Sequence, residues 1–156
     1  MTSSAKPSIV IRAISADETR TLRRLVLRAG MENQTVVFEG DDDLDTVHLG
    51  AFDQNGVEVG VSTWLHRSFA PEPDRPALQL RGMATAVELQ SRGIGAALLS
   101  AGLQHAQNVG VELIWANARD AALGFYSRHG YTTVGEGFIE TVTRLPHHRV
   151  VKYLAQ

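Results

Sequence analysis

The stretch "ELQSRGIGAALLSAG", residues Glu88 to Gly102, places two glycines in a polar bend directly before an apolar helical pattern. Glycine is the poorest helix former after proline, so its use here requires a local reason. Gly93 and Gly95 permit positive φ angles and allow another group to approach the backbone closely. The first N–H groups of a helix are unpaired and its dipole adds positive charge, so the bend predicts an anion site suited to phosphate. A plain turn, with glycines for steric relief, is the alternative.

The composition is that of an ordinary globular protein and bounds the function. The chain has 156 residues, 44% of them hydrophobic, and a net charge of −2. These values predict one domain spanning residues 1–156, and the missing basic surface argues against nucleic acid as a partner. The absence of cysteine excludes disulfides, thiolate metal sites and cysteine nucleophiles. No apolar run approaches the roughly 20 residues of a membrane span, so we expect a cytoplasmic protein without a membrane partner, with residues 1–8 frayed.

Hydrophobic periodicity predicts the order strand, helix, two or three antiparallel strands, helix, strand, helix and two strands. The first helix is predicted to begin near Ser15 or Asp17 and to bury a stripe of apolar side chains, namely Leu22, Leu25 and Ala29. Asn55-Gly56 favours a hairpin turn, and Asp120 is a predicted cap for the last helix. This order predicts a mixed α/β domain with helices covering a central sheet.

Two common nucleotide motifs do not fit the bend. The pattern GxxxxGK[ST] of nucleoside triphosphate binding is absent. A dinucleotide fingerprint would need glycine at position 98, where Leu98 stands, and Asn117 lies where the next strand should end in an acidic residue. A dinucleotide-dependent oxidoreductase is therefore disfavoured.

The motif Gln90-x-x-Gly93-x-Gly95 resembles the Q/R-x-x-G-x-G/A motif of the GNAT superfamily of acyl-CoA-dependent N-acyltransferases. The segments "LRGMATAVELQSRGIGAALL" and "LIWANARDAALGFYSRHGYTTVGEGF" resemble that family in register, over roughly residues 77–155. The N-terminal half is similar only in its order of elements. The resemblance implies a mixed, mostly antiparallel sheet flanked by helices, with two strands splayed at the acyl-CoA site.

In that family the N–H groups of the loop hold the coenzyme A pyrophosphate. Here this role would fall to Ser91, Arg92, Gly93, Ile94, Gly95 and Ala96. The side chain of Arg92 is equally well interpreted as a further phosphate contact or as a solvated surface cation.

The resemblance also assigns residues to the pantetheine arm of acetyl-CoA. That arm would pair with Met83, Ala84 and Thr85, much as an added strand does. An N–H near Ala84 or Thr85 would serve the oxyanion. Gly82 favours a β-bulge over simple packing relief, and Asn117 favours pantetheine binding over a turn or cap role.

Tyr126 matches the family's tyrosine, which protonates the departing thiolate. A phenol suits a general acid, because its ordinary pKa is about 10. The alternative is an amphipathic core aromatic beside Phe125.

The general base is the least determined part of the site. Many members carry a glutamate on the fourth strand, but residues 77–86 contain no Asp, Glu or His. The candidates are Glu88, His66, His147 and His148. No metal is predicted, because adjacent histidines on a strand point to opposite faces and no third ligand is evident.

These residues predict an N-acetyltransferase that moves the acetyl group of acetyl-CoA directly to a primary amine on a small molecule or peptide. A non-catalytic acyl-CoA sensor is the alternative, which the missing strand carboxylate favours. The stretch "EGDDDLD" could line an acceptor site and attract a cationic amine, or it is an acidic surface loop or a helix cap. Trp64 and Phe69 either pack in the core or shape an acceptor pocket. Homodimers are common among such folds, although this sequence carries no direct sign of one.

Overall fold

The computed structural model describes residues 8–155, whose strands form one seven-stranded sheet. The strands are β1 (Val10–Ile14), β2 (Val47–Phe52), β3 (Glu58–His66), β4 (Ala77–Thr85), β5 (Leu113–Arg119), β6 (Thr132–Ile139) and β7 (Pro146–Tyr153). Their order in the sheet is β1-β2-β3-β4-β5-β7-β6. Within residues 8–155 only β4 and β5 are parallel neighbours, which confirms the mixed, mostly antiparallel sheet. Residues 1–7, where fraying was expected, lie outside the described residues.

Helices pack against this sheet at the predicted places. The first helical segment, α1, consists of a 3-10 turn (Asp17–Thr19), an α-helical turn (Arg20–Leu22) and a π-helical turn (Arg23–Leu27). The others are α2 (Ile94–Val109) and α3 (Leu123–Arg128), the latter preceded by a 3-10 turn (Asp120–Ala122). No helix in the described part of the chain is both long and apolar enough to cross a membrane.

Helix α1 begins as expected but buries a different face. Ser15 and Glu18 form a reciprocal capping box, with the Glu18 N–H donating to Ser15 Oγ at 3.3 Å. The predicted stripe is wrong beyond Leu22, because Leu25 is 62% exposed and Ala29 is also exposed. The π-helical turn changes the angle between successive side chains, so a 3.6-residue period does not continue through it. Arg23 is fully buried instead.

The predicted cap of the last helix is also wrong. Asp120 makes no capping hydrogen bond, and its Oδ1 lies 2.6 Å from Nδ1 of His148 on β7. A histidine on a neighbouring strand engages this carboxylate, which a sequence pattern cannot reveal.

The core lies between α2 and the centre of the sheet. Trp64 is fully buried, and a Cβ atom placed on Gly102 of α2 would lie only 1.9 Å from its Cζ2 atom. Glycine at this position therefore lets the helix backbone lie directly on the indole ring. Phe69 is also buried, in a cluster with Trp115. Both Trp64 and Phe69 are core residues, so neither shapes an acceptor pocket.

We predict that Gly102→Ala destabilises the protein by about 1–3 kcal/mol, because the added methyl group overpacks against Trp64. The measurement is the free energy of unfolding from urea titration. Gly124→Ala in α3 is the matched control, since its Cβ would meet only Arg128, at 3.6 Å. That control should be neutral or slightly stabilising, as expected for alanine in a helix. Equal stabilities of the two variants would contradict this packing.

Candidate functional site

Strands β4 and β5 are hydrogen-bonded over only half of their length and then diverge. They pair from Ala77 with Leu113 to Leu80 with Ala116, and no further. Beyond this point β4 remains paired with β3, whereas β5 remains paired with β7. The sheet is therefore splayed at its centre, as the resemblance implied, and a gap opens between Arg81 and Asn117.

A β-bulge at Gly82 accompanies the splay. Val61 pairs with Ala84 and Thr63 pairs with Arg81, so β4 carries one residue more than β3 between these pairs. Gly82 has φ +59°, and a Cβ there would lie 2.8 Å from Nε of Arg23. Both the conformation and the space require glycine, which confirms the predicted bulge.

The edge of β4 beyond the bulge contains the residues assigned to the pantetheine arm. Ala84 and Thr85 pair with β3 on one side, and β5 has diverged on the other. The amide of Gln90 donates to the carbonyl of Thr85 at 3.3 Å, so it connects the glycine-containing loop to the end of this strand.

The loop at the start of α2 presents unpaired backbone donors. Among the described residues, the N–H groups from Ser91 to Ala96 donate to no protein acceptor, and the first bond is from Ala97 to the carbonyl of Gly93 at 3.0 Å. Ser91 and Gly93 both have positive φ, at +69° and +87°. Such a turn leading into a helix is an anion-binding geometry.

The two glycines of the motif have different physical reasons. A Cβ on Gly93 would meet open space, so its left-handed conformation is what requires glycine. Gly95 has an ordinary conformation, but a Cβ there would lie 3.0 Å from Cζ of Phe125. Gly95 thus lets α3 pack closely against the start of α2. The side chain of Arg92 is exposed.

Tyr126 on α3 faces the splay. It is 8% exposed, and burial raises the pKa of its hydroxyl to about 12. Its Oη lies 4.0 Å from Sδ of Met83, a weak acceptor, and the ring packs edge-on against Phe125 and Tyr131. The hydroxyl is protonated at neutral pH, and its bond to Met83 is weak, so it is available to donate a hydrogen bond to a ligand.

A cleft of about 440 Å³ occupies the gap between β4 and β5. It is lined by residues of the splay, of the segment after α1 and of the β6–β7 turn. Met83, Asn117 and Tyr126 all line it, so the structure brings these three predicted residues together. Asn117 itself is exposed.

His147 also lines this cleft, at the start of β7. It is 6% exposed, and its Nδ1 lies 2.9 Å from the carbonyl oxygen of Leu145. A carbonyl only accepts, so Nδ1 donates and the neutral ring keeps a lone pair on Nε2. His148 points to the opposite face, toward Asp120, and His66 is exposed at the end of β3. Within residues 8–155 no histidines and carboxylates form a group that could hold a metal ion.

Glu88, the other candidate for the base, lies elsewhere. It is exposed on a 3-10 turn and lines a second cavity, together with Glu18 and Glu58. It does not line the cleft that contains Tyr126. A position close to the motif in sequence is therefore not close to this cleft, because the chain reverses between β4 and α2.

The acidic stretch near residue 40 contributes a buried ion pair to the fold. Asp41 is buried and receives two hydrogen bonds from Arg23, at 2.7 and 3.0 Å. Burial alone would raise the pKa of Asp41, but the bonds from Arg23 and from the Phe38 N–H outweigh it and lower this pKa. Of the stretch Glu39 to Asp45, only Glu39 lines the cleft. The idea that these carboxylates attract a cationic amine is therefore not supported.

Sequence reasoning missed several polar residues that line the cleft, namely Arg28, Gln79, Arg81 and Arg119. The sequence does contain a signal for Gln79 and Arg81, because "ALQLRGM" places them at alternate positions of an otherwise apolar strand. Such alternation marks a polar face.

Comparison with known proteins agrees with this geometry. The model of the acetyltransferase (GNAT) family matches residues 18–131. A Bacillus subtilis (strain 168) protein named "Uncharacterized N-acetyltransferase YitI" is 27% identical over 128 residues, covering 82% of this chain and 85% of its own.

Solved structures share the fold. An "IAA acetyltransferase" from Bacillus cereus ATCC 14579 has a TM-score of 0.71 at 20% identity, covering 94% of this chain and 100% of its own. FeeM, an "N-acyl amino acid synthase from uncultured soil microbes", has a TM-score of 0.78 at 16% identity, covering 94% of this chain and 91% of its own. Because the family model matches most of the chain, the chain belongs to the acetyltransferase (GNAT) family.

Proposed function

We propose that this acyltransferase moves the acetyl group of acetyl-CoA directly to the nitrogen of a primary amine. The observation that carries the proposal is the splay of β4 from β5, with unpaired loop amides at one end and a buried phenol beside it. The open N–H groups from Ser91 to Ala96 fit a diphosphate, and the edge from Met83 to Thr85 fits an amide-bearing arm.

The residues of the cleft divide the proton transfers between them. His147 accepts a proton from the substrate ammonium on Nε2, directly or through a water, which frees the amine for attack. As the C–N bond forms and the C–S bond breaks, Tyr126 donates its proton to the sulfur, and the second proton that the nitrogen loses on becoming an amide restores the phenol. Asn117 orients the pantetheine arm. No covalent enzyme intermediate is needed, in keeping with the absence of cysteine.

The proposal predicts both binding and turnover. Calorimetry should show acetyl-CoA binding, and a thiol-release assay over a panel of primary amines should show acetyl-CoA-dependent turnover. Tight binding with no turnover on any amine would favour the acyl-CoA sensor. No binding at all would contradict the assigned loop.

Tyr126→Phe should lower kcat by roughly 10²- to 10⁴-fold, the range typical of a general acid, with acetyl-CoA affinity nearly unchanged. Because burial raises the pKa of Tyr126 to about 12, the phenol should remain a donor as the pH rises through 10, its ordinary value. Tyr131→Phe is the control, since Tyr131 is buried against the same ring but does not line the cleft. An unaltered kcat in Tyr126→Phe would remove this residue from the mechanism.

His147→Gln should lower kcat/KM at neutral pH by about 10²-fold or more, since the substrate ammonium loses its base. The deficit should shrink as the pH rises, because the amine then deprotonates in solution. The pH profiles of kcat/KM for the wild type and the variant provide the measurement. His66→Gln, at an exposed position, should match the wild type. A deficit in His147→Gln that is constant with pH would indicate a structural role only.

A further inference from the structure

The cleft contains a cluster of arginines that form no ion pair among the described residues. Arg28, Arg81 and Arg119 all line it, and we call them the arginine cluster. Each donates to a backbone carbonyl: Arg28 Nε to Thr35 at 2.9 Å, Arg81 Nη1 to Glu39 at 3.1 Å, and Arg119 Nη2 to Leu27 at 2.9 Å. Neutral carbonyls hold the guanidinium groups in place while leaving their full charge and several N–H donors unused.

Two members of the cluster are direct neighbours. Nη1 of Arg28 lies 3.3 Å from the carbonyl oxygen of Leu27, the same oxygen that Arg119 binds. Among residues 8–155, neither of these two arginines nor Arg81 has an ion-pair partner. Like charges are thus brought together without a direct ion pair, although Glu140 interacts electrostatically with Arg28, and Asp41 and Glu39 do so with Arg81.

The carboxylates that line the cleft are engaged elsewhere. Oε2 of Glu140 accepts hydrogen bonds from the N–H groups of Val142 and Thr143, at 2.6 and 2.9 Å. Oε1 of Glu39 lies 3.6 Å from Arg67, outside the cluster. Neither side chain forms an ion pair with the arginine cluster.

Burial makes this positive charge costly. Arg28 is only 7% exposed, and burial lowers the pKa of both Arg28 and Arg81. A desolvated cation is unfavourable until an anion pairs with it. Planar guanidinium groups match a carboxylate well, because two parallel N–H bonds reach its two oxygens.

A complementary acceptor lies in the same cleft. Gln79 is 4% exposed, and its side-chain oxygen is buried with no hydrogen-bond partner among the described residues. An unpaired buried acceptor is costly, and an amine N–H of the substrate would satisfy it. The cleft therefore offers cations for an anion and an oxygen for an amine.

We propose that the arginine cluster binds a carboxylate of the acceptor, so that the substrate is a small amine that carries a carboxylate, of the amino-acid class. This inference rests on the proposed function and specifies its acceptor. The pyrophosphate loop from Ser91 to Ala96 does not line the cleft, so the two anion sites are separate.

Matched substrates test the proposal. Each common amino acid is compared with its carboxamide in the thiol-release assay, and ω-amino acids of increasing length vary the distance from amine to carboxylate. At least one free carboxylate should exceed its carboxamide in kcat/KM by about 10- to 100-fold, the range for losing a charge-assisted hydrogen bond. Carboxamides that equal or exceed the acids throughout would overturn the inference while leaving the transferase intact.

Variants locate the effect. Arg119→Gln and Arg81→Gln should raise KM for the acid by about 10- to 100-fold, with little change for its carboxamide and in acetyl-CoA affinity. Arg24→Gln, at an exposed position of α1 outside the cleft, is the control. If either cleft variant instead weakens acetyl-CoA binding and leaves KM for the acid unchanged, the cluster serves the nucleotide and the proposal is wrong.

A binding measurement separates this inference from the proposed function. Calorimetry with the N-acetyl derivatives of the common amino acids, and with their amides, does not require turnover. If no amine is acetylated, preferential binding of the N-acetyl acids by the wild type, lost in Arg119→Gln, would still support the carboxylate site. Equal or absent binding of acids and amides would reject it.

Discussion

The site depends on the separation of β4 from β5 after four paired residues. An intact parallel pair would satisfy the edge of β4 with β5 and leave no room for a ligand backbone. The bulge at Gly82 adds one residue to β4 relative to β3, which bends the strand away at the point where the pairing stops. The open edge of β4 and the cleft beside Tyr126 lie where this irregularity interrupts the sheet.

A buried ionic network centred on Arg23 and Asp41 packs against the bulge. Arg23 approaches the backbone of Gly82 so closely that no Cβ would fit, and it also bonds Asp41, the carbonyl of Val36 and the hydroxyl of Thr63. Such a pair is costly to desolvate, and it is stabilising only when its remaining donors and acceptors are satisfied. Here it connects α1, β3 and the segment that forms one wall of the cleft. We infer that this network contributes specificity of shape more than net stability.

Local patterns predicted the elements that carry the site, because each has a signal within a few residues. The bend at Gly93 and Gly95, the hairpin at Asn55-Gly56 and the bulge at Gly82 all lie where the sequence indicated. Long-range contacts were beyond such reasoning. From sequence alone, Arg23 would be expected on the surface, because its partner Asp41 is distant in the chain. The predicted apolar stripe does not continue to Leu25, because a π-helical turn changes the helical period. The sequence could not decide which of the two adjacent histidines faces the site. The structure shows that His147 lines the cleft, whereas His148 contacts Asp120.

A crystal structure with coenzyme A bound is the most direct test of this account. We predict that the pyrophosphate lies within hydrogen-bond distance of the N–H groups from Ser91 to Ala96, with the pantetheine arm along the free edge of β4 and its sulfur next to Tyr126. A coenzyme bound away from the splay, or a pairing of β4 with β5 that closes over residues 81–85, would contradict it.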